Sequence, residues 1–145
     1  MDLLEKTNKK IKYVPNMIVW HHRRAGLCLH LRQVGAYGLH RGYFARVYPK
    51  NSRKIKYFLP SFFFIFVLIS IFVSILPQIK LLNLIMCIGW TLYLIAISNS
   101  IIEIKRHESL SIALCSAIYI FATHIYYGMN FIKGFFTKNL ISKLR

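Results

Sequence analysis

Acidic side chains are scarce in this chain of 145 residues, which carries four Asp and Glu against 20 Lys and Arg. The four acids are Asp2, Glu5, Glu103 and Glu108. The last two are interspersed with Lys105 and Arg106, a pattern typical of a solvated charge cluster. Because a general acid or base must be held by a folded site, and no two of these acids share one, we expect no carboxylate-based catalysis from this polypeptide.

Metal-ligating residues are also sparse. The three cysteines are far apart and in no Cys-x-x-Cys pattern, so we interpret them as small hydrophobic residues: Cys28, Cys87 and Cys115. Four histidines of the first third have no Cys or carboxylate beside them at ligand spacing: His21, His22, His30 and His40. The sequence therefore predicts no metal site.

Charged residues are absent from residues 58–76, and further apolar segments follow at 81–98 and 110–131. The chain is 56% hydrophobic, with a mean hydropathy of +0.45. About 20 apolar residues in a helix cross a ~30 Å hydrocarbon core, and lipid leaves unpaired backbone groups without partners. We therefore predict an all-α membrane protein whose residues 57–136 form two to three transmembrane helices.

The connection between the first two apolar segments permits only a tight hairpin, with Trp90 and Tyr93 as packing residues within the second segment. The third segment is less uniform, because polar side chains occupy its second half: His124, Tyr127 and Asn130. An ionisable group in a span is often functional, although a hydrogen bond from His124 to a neighbouring helix explains it as well. Three full spans would place the basic tail, 137–145, outside, although cations near span ends prefer the cytoplasm. We nevertheless expect a third full span. The alternative is a segment that bends back or lies partly in the interface.

Thirteen of the 20 Lys and Arg lie within residues 1–56, immediately before the first apolar run. A cationic flank beside the first span tends to stay in the cytoplasm, so we expect a cytoplasmic N-terminus. Clustered cations can neutralise nucleic-acid phosphates, but cations that border apolar spans are attracted by anionic headgroups. The expected partner is a bilayer with anionic headgroups, and no nucleic acid.

Residues 23–56 combine arginines with apolar side chains at helical spacing, a pattern typical of basic interfacial helices. The apolar positions include Leu27, Leu31 and Val34. Three glycines interrupt the pattern, namely Gly35, Gly38 and Gly42. We therefore expect two short helices joined by a bend, and a solvated basic linker is the alternative.

Residues 1–22 contain alternating or consecutive apolar positions around Pro15, which is strand-like. An isolated strand is not stable in water. We therefore expect this segment to be the remnant of a domain whose sheet would lie before Met1.

Three blocks stand out in order along the chain. The first runs from Lys10-Ile11-Lys12-Tyr13-Val14-Pro15 to His21-His22-Arg23-Arg24. The second runs from Arg32-Gln33 through Tyr37-Gly38 and Arg41-Gly42 to Tyr57-Phe58-Leu59-Pro60-Ser61. The third runs from His124-Ile125-Tyr126-Tyr127-Gly128 to Phe131-Ile132-Lys133-Gly134. In this order they resemble the C-terminal part of membrane-anchored bacterial family 2 glycosyltransferases, which build extracellular polysaccharides on lipid carriers.

The resemblance covers about residues 9–134 and implies that the catalytic part of such an enzyme is not in this chain. This chain lacks the nucleotide-binding half, the Asp-x-Asp type metal site and the Glu-Asp pair that contains the presumed catalytic base. We do not assign the role of that base to Asp2. The complete enzyme would use a divalent cation, whereas the resemblance implies neither cofactor nor catalytic residue here.

Gln33, Tyr37 and Arg41 follow one another at spacings of four, on one side of a helix. Arginine forks and ring faces suit phosphate oxygens and sugar faces, so we expect contact with the acceptor or with a lipid phosphate. Processive relatives carry a Gln-x-x-Arg-Trp motif in the corresponding helix, which this sequence lacks. Simple anchoring to headgroups is the alternative.

The resemblance implies the membrane-anchoring module of a family 2 glycosyltransferase for envelope or extracellular polysaccharide, inactive alone, in the bacterial cytoplasmic (inner) membrane. Such a module is either a fragment from a split or truncated gene or a partner of a separate catalytic glycosyltransferase chain, and a lipid-linked saccharide is a further expected partner. The alternative is an independent small membrane protein that anchors or assembles an envelope polysaccharide enzyme.

Overall fold

The computed structural model of the protein describes residues 14–20, 26–75 and 80–140. Within these ranges the regular secondary structure is helical and there is no strand. Its elements are α1 (Leu27–Val47), α2 (Pro49–Ser52), a 3₁₀ turn (Ile55–Tyr57), α3 (Leu59–Ile75), α4 (Lys80–Lys105) and α5 (Leu110–Phe136). The all-helical part of the predicted fold class is therefore confirmed.

The three predicted apolar segments are three helices. The second and third are longer than expected, because α4 continues to Lys105 and α5 to Phe136. With 26 and 27 residues they are long and apolar enough to cross a membrane, and α3 is a shorter apolar helix of 17 residues. By helix length and composition, a helical, membrane-like fold is thus confirmed.

Two of these helices begin according to local rules. Pro60 is the second residue of α3, where its missing N–H costs little. Ser109 is the N-cap of α5, and its Oγ accepts a hydrogen bond from the Ile112 backbone N–H at 3.4 Å. Arg106, in the turn before α5, forms an exposed ion pair at 2.8 Å with Glu103 near the end of α4, as a solvated charge cluster would.

Helix α1 packs along the second half of α5, and the two helices run in the same direction. His30 lies beside Thr123 near the start of this contact, and Arg46 reaches the Thr137 carbonyl at its end. The buried residues of α1 are Gly35, Gly38, Gly42 and Ala45. The prediction of two short helices joined by a bend is therefore wrong, because α1 is one helix of 21 residues.

The glycines do not break α1, because they allow α5 to come very close. A Cβ on Gly38 would lie 2.6 Å from the Tyr127 carbonyl oxygen, and a Cβ on Gly42 would lie less than 3.0 Å from the Phe131 backbone. Close approach favours van der Waals packing between apolar helices and offsets the roughly 1 kcal/mol propensity cost of each glycine. The predicted apolar positions Leu27, Leu31 and Val34 are only partly buried instead.

The start of α3 crosses α5 at Gly128. A Cβ on Gly128 would lie 2.8 Å from the Pro60 carbonyl carbon and 2.9 Å from Phe64 Cβ. Beside this crossing, the Phe58 and Phe131 rings meet with centroids 4.8 Å apart. Because α1 also contacts Phe131, that side chain is only 2% exposed and forms the centre of the helix packing.

A cluster of aromatic rings joins α3, α4 and α5. The Phe63 and Tyr93 rings stack with centroids 4.2 Å apart. Trp90 Nε1 donates a hydrogen bond to Ser70 Oγ at 3.1 Å. These contacts make Trp90 and Tyr93 packing residues, as their position within the second apolar segment predicts.

Much of the apolar surface of these helices is uncovered. Helix α4 has no buried residue, and the side chains of Ile75 and Leu81 are 70% and 69% exposed. Apolar surface left in water is unfavourable by about 25 cal/mol per Å², whereas lipid tails are as apolar as Leu. The outer surface of the helices therefore suits a membrane.

The predicted strand at the N-terminus is not found in its described part. Residues 14–20 form a turn and extended coil, in which Met17 N–H bonds to the Val14 carbonyl at 3.2 Å and Trp20 is 93% exposed. An extended segment needs a second strand for pairing, and no strand occurs among the described residues. The remainder of this prediction, including His21 and His22, lies outside those residues.

Candidate functional site

An open groove of about 690 Å³ lies between the end of α1, the 3₁₀ turn and α5. The described residues of its walls are mainly aromatic and include one guanidinium and one imidazole. The lining residues are Tyr37, His40, Arg41, Phe44, Tyr57 and Tyr127. Two predicted contact residues, Tyr37 and Arg41, and one predicted intramembrane polar residue, Tyr127, are therefore brought together.

Arg41 occupies a defined position in this groove. Its guanidinium carbon lies 4.2 Å from the centre of the Tyr57 ring, within the range of a cation–π interaction. Among the described residues it forms no ion pair or hydrogen bond. The ring thus orients the guanidinium while its N–H donors are available to a ligand.

Gln33 lies one turn before Tyr37 on α1. Its Nε2 donates a hydrogen bond to Tyr37 Oη at 3.0 Å. The predicted spacing of four therefore produces a direct contact. Gln33 does not line the groove itself, but it holds the hydroxyl of Tyr37, which does.

The groove combines donors for an anion with apolar ring faces. Among the described residues, its lining contains no carboxylate that would repel a phosphate or compete for Arg41. A guanidinium can bind a phosphate through two parallel N–H···O bonds. Chemically, the arrangement suits a molecule with an anionic group beside an apolar or sugar-like body.

The other two predicted polar residues lie away from the groove. His124 joins the aromatic cluster, where its Nδ1 is 3.3 Å from Tyr93 Oη on α4. The alternative of a hydrogen bond to a neighbouring helix thus describes His124. Asn130 Nδ2 donates to the Tyr126 carbonyl one turn earlier at 2.8 Å, beside Gly35 of α1.

Sequence reasoning did not assign His40, Phe44 and Tyr57 to a site. His40 and Phe44 follow Tyr37 at intervals of three and four, so helical spacing could have identified them. Tyr57 could not be found in this way, because it belongs to the 3₁₀ turn beyond α2 and meets Arg41 only after the chain turns back.

His30 and His40, two potential metal ligands by residue type, lie in different environments. His30 Nε2 lies 3.0 Å from Thr123 Oγ1 of α5, and His40 lines the groove. In the part of the chain that the structure describes, no three His, Cys, Asp or Glu side chains gather as a group that could hold a metal ion.

Comparison with known proteins returned no matching family model, no similar curated protein and no similar solved structure.

Proposed function

We propose that this chain is the membrane-anchoring module of a family 2 glycosyltransferase of the bacterial cytoplasmic membrane, and that it works with a separate catalytic chain. The groove contacts the acceptor of that enzyme, a lipid-linked saccharide or its phosphate. Nucleotide-sugar binding, the divalent cation and the base belong to the catalytic chain.

The observation that supports this proposal is the meeting of Arg41, Tyr57 and Tyr127 in one groove. These residues come from two separate blocks of the glycosyltransferase resemblance, and Arg41 also belongs to the predicted contact set. The resulting mixture of guanidinium and ring faces is the chemistry that an acceptor with a phosphate and a sugar requires.

The membrane role is supported by the uncovered apolar surface of α3, α4 and α5. A catalytic domain docked beside this module would meet its acceptor at the headgroup level. Because holding two reactants in position removes part of the entropic barrier, such a platform contributes to transfer without any catalytic group.

The proposal is tested by deleting the gene in its own host and measuring transfer of radiolabelled sugar from nucleotide sugars to lipid in isolated membranes. We expect deletion to abolish transfer and the wild-type chain to restore it. Arg41→Ala should restore it only weakly, whereas Arg32→Ala should restore it fully, since Arg32 lies on α1 outside the groove.

A second arm uses the purified chain in lipid nanodiscs with nucleotide sugars and a divalent cation. We expect no transfer from this chain alone. Unchanged lipid glycosylation after deletion would contradict the proposed role, and transfer by the purified chain would contradict the assignment of catalysis to a separate polypeptide.

A further inference from the structure

The end of α5 lies beside the start of α3. The Phe58 ring, one residue before α3, contacts the rings of Phe131 and Phe135 at centroid distances of 4.8 and 6.5 Å. In the same region, Arg46 of α1 donates hydrogen bonds to the carbonyl oxygens of Thr137 and Lys138. Residues 46–58 and 131–138 are thus held together at one end of the molecule.

Helices α3 and α4 form a hairpin. Ile75 and Lys80 are only five positions apart, a reach of about 18 Å when fully extended, which is less than the ~30 Å hydrocarbon core. Their contacts run in opposite directions, since Phe63 stacks on Tyr93 while Ser70, further along α3, bonds to Met86, earlier in α4.

The hairpin fixes where α5 begins. Because α4 runs back along α3, its last residue, Lys105, lies on the side from which α3 starts. Only residues 106–109 separate Lys105 from Leu110, the first residue of α5. Both ends of α5 are therefore on the side from which α3 starts, although a helix that crosses a membrane must join opposite sides.

We infer that α3 and α4 cross the membrane as a hairpin, whereas α5 lies along the cytoplasmic interface with α1 packed on it. Both α1 and the end of α5 then face the same layer of lipid headgroups. This arrangement depends on membrane insertion and is independent of the proposed transferase role.

The charges around the joined ends identify the partner as an anionic headgroup layer. Six exposed cations surround this region, namely Lys50, Arg53, Lys54, Lys56, Lys133 and Lys138. Among the described residues the only carboxylates are Glu103 and Glu108, which lie beside Lys105 and Arg106 before the other end of α5. Cations beside membrane helices favour the cytoplasmic side. With α5 at the interface, the cations before α3 and those at the end of α5 lie on that same side. If α5 spanned the membrane, these two groups of cations would lie on opposite sides.

Helix α5 also has the surface that an interfacial helix needs. Leu114, Ile118 and Phe121 follow one another at spacings of four and three and are 53%, 63% and 39% exposed. Such a face dips into the boundary between headgroups and acyl chains. The length and composition of α5 would permit it to cross a membrane. The position of both its ends on one side does not permit this.

Cysteine accessibility in a cysteine-free background tests this topology, with Cys28, Cys87 and Cys115 replaced by Ser. Three single variants report three positions: Lys50→Cys after α1, Lys80→Cys at the hairpin, and Lys138→Cys after α5. Each is treated with a membrane-impermeant maleimide in spheroplasts and in inverted membrane vesicles. We expect the Lys50→Cys and Lys138→Cys variants to react in inverted vesicles only, and the Lys80→Cys variant in spheroplasts only.

Reaction of Lys138→Cys together with Lys80→Cys, on the face opposite Lys50→Cys, would overturn the inference, as would reaction of all three on one face. Reporter fusions to the unsubstituted chain provide a second measurement. A C-terminal fluorescent protein should fold and fluoresce, whereas a C-terminal alkaline phosphatase should be inactive; active phosphatase there would equally overturn it.

Discussion

The guanidinium carbon of Arg41 lies 4.2 Å from the centre of the Tyr57 ring, in the wall of a groove that opens between α1, the 3₁₀ turn and α5. The fifteen residues between them, 42–56, turn back through α2 to bring the two residues together. The pair is the most specific chemical feature of the groove, because it presents a cation with no competing carboxylate among the described lining residues.

Loss of the Arg41 charge should weaken binding of a polyprenyl phosphate to the purified chain in detergent by about tenfold, since a hydrogen bond to a charged group contributes about 1.5–3 kcal/mol. Arg41→Ala is compared with Arg32→Ala, which leaves the groove intact. Equilibrium binding of a radiolabelled short-chain polyprenyl phosphate measures the difference, with the neutral polyprenol as ligand control. Equal affinities of the wild-type chain, Arg41→Ala and Arg32→Ala for the polyprenyl phosphate would show that the groove does not bind the phosphate.

Replacement of a buried glycine of α1 should separate α1 from α5. Gly38→Leu places a side chain where a Cβ alone would lie 2.6 Å from the Tyr127 carbonyl oxygen, so we expect destabilisation of about 1–3 kcal/mol. Ala36→Leu, on an exposed position of the same helix, is the matched control. Unfolding in mixed detergent micelles measures both, and an unaffected Gly38→Leu protein would contradict the glycine packing.

Arg46 should protect the last turn of α5, because its guanidinium bonds to the carbonyl oxygens of Thr137 and Lys138. Removal of such bonds costs about 1 kcal/mol, so Arg46→Ala should accelerate amide exchange around Thr137 roughly fivefold. Arg53→Ala, at an exposed cation outside α5, serves as the control. Exchange that is the same in both variants would place Arg46 outside the contact.

His124 should contribute packing and one modest hydrogen bond rather than an essential charge. Its Nδ1 lies 3.3 Å from Tyr93 Oη, and side-chain hydrogen bonds between membrane helices average about 0.6 kcal/mol. His124→Phe and Tyr93→Phe should therefore each destabilise the protein by about that amount, and their effects should be less than additive in a double-mutant cycle. Complete loss of sugar transfer in His124→Phe, with the fold intact, would reveal a functional role instead.

Helix positions were predictable because long apolar segments require helices in lipid, and the start of α5 at Leu110 follows from its cap, Ser109. The course of α1 was not predictable from propensity. Gly35, Gly38 and Gly42 indicate a bend in an isolated helix, but they fit one continuous helix once α5 approaches closely. Tertiary packing therefore overrides the local preference.

The groove was predictable in part. Tyr37 and Arg41 were found from helical spacing, whereas Tyr57 joins them through a chain reversal that has no periodic signal. Tyr127 was selected because it is a polar residue in an apolar segment, and its place beside Arg41 depends on the packing of α1 along α5. Contacts between distant segments of the chain thus decide which selected residues share a site.

Alkaline carbonate extraction of membranes that contain the full chain tests most directly whether it is embedded in lipid, on which the platform role depends. Peripheral proteins are released by this treatment, whereas the exposed apolar surface of α3 and α4 should keep this chain in the membrane pellet until detergent is added. Recovery of the folded chain in the detergent-free supernatant would contradict the membrane-embedded platform.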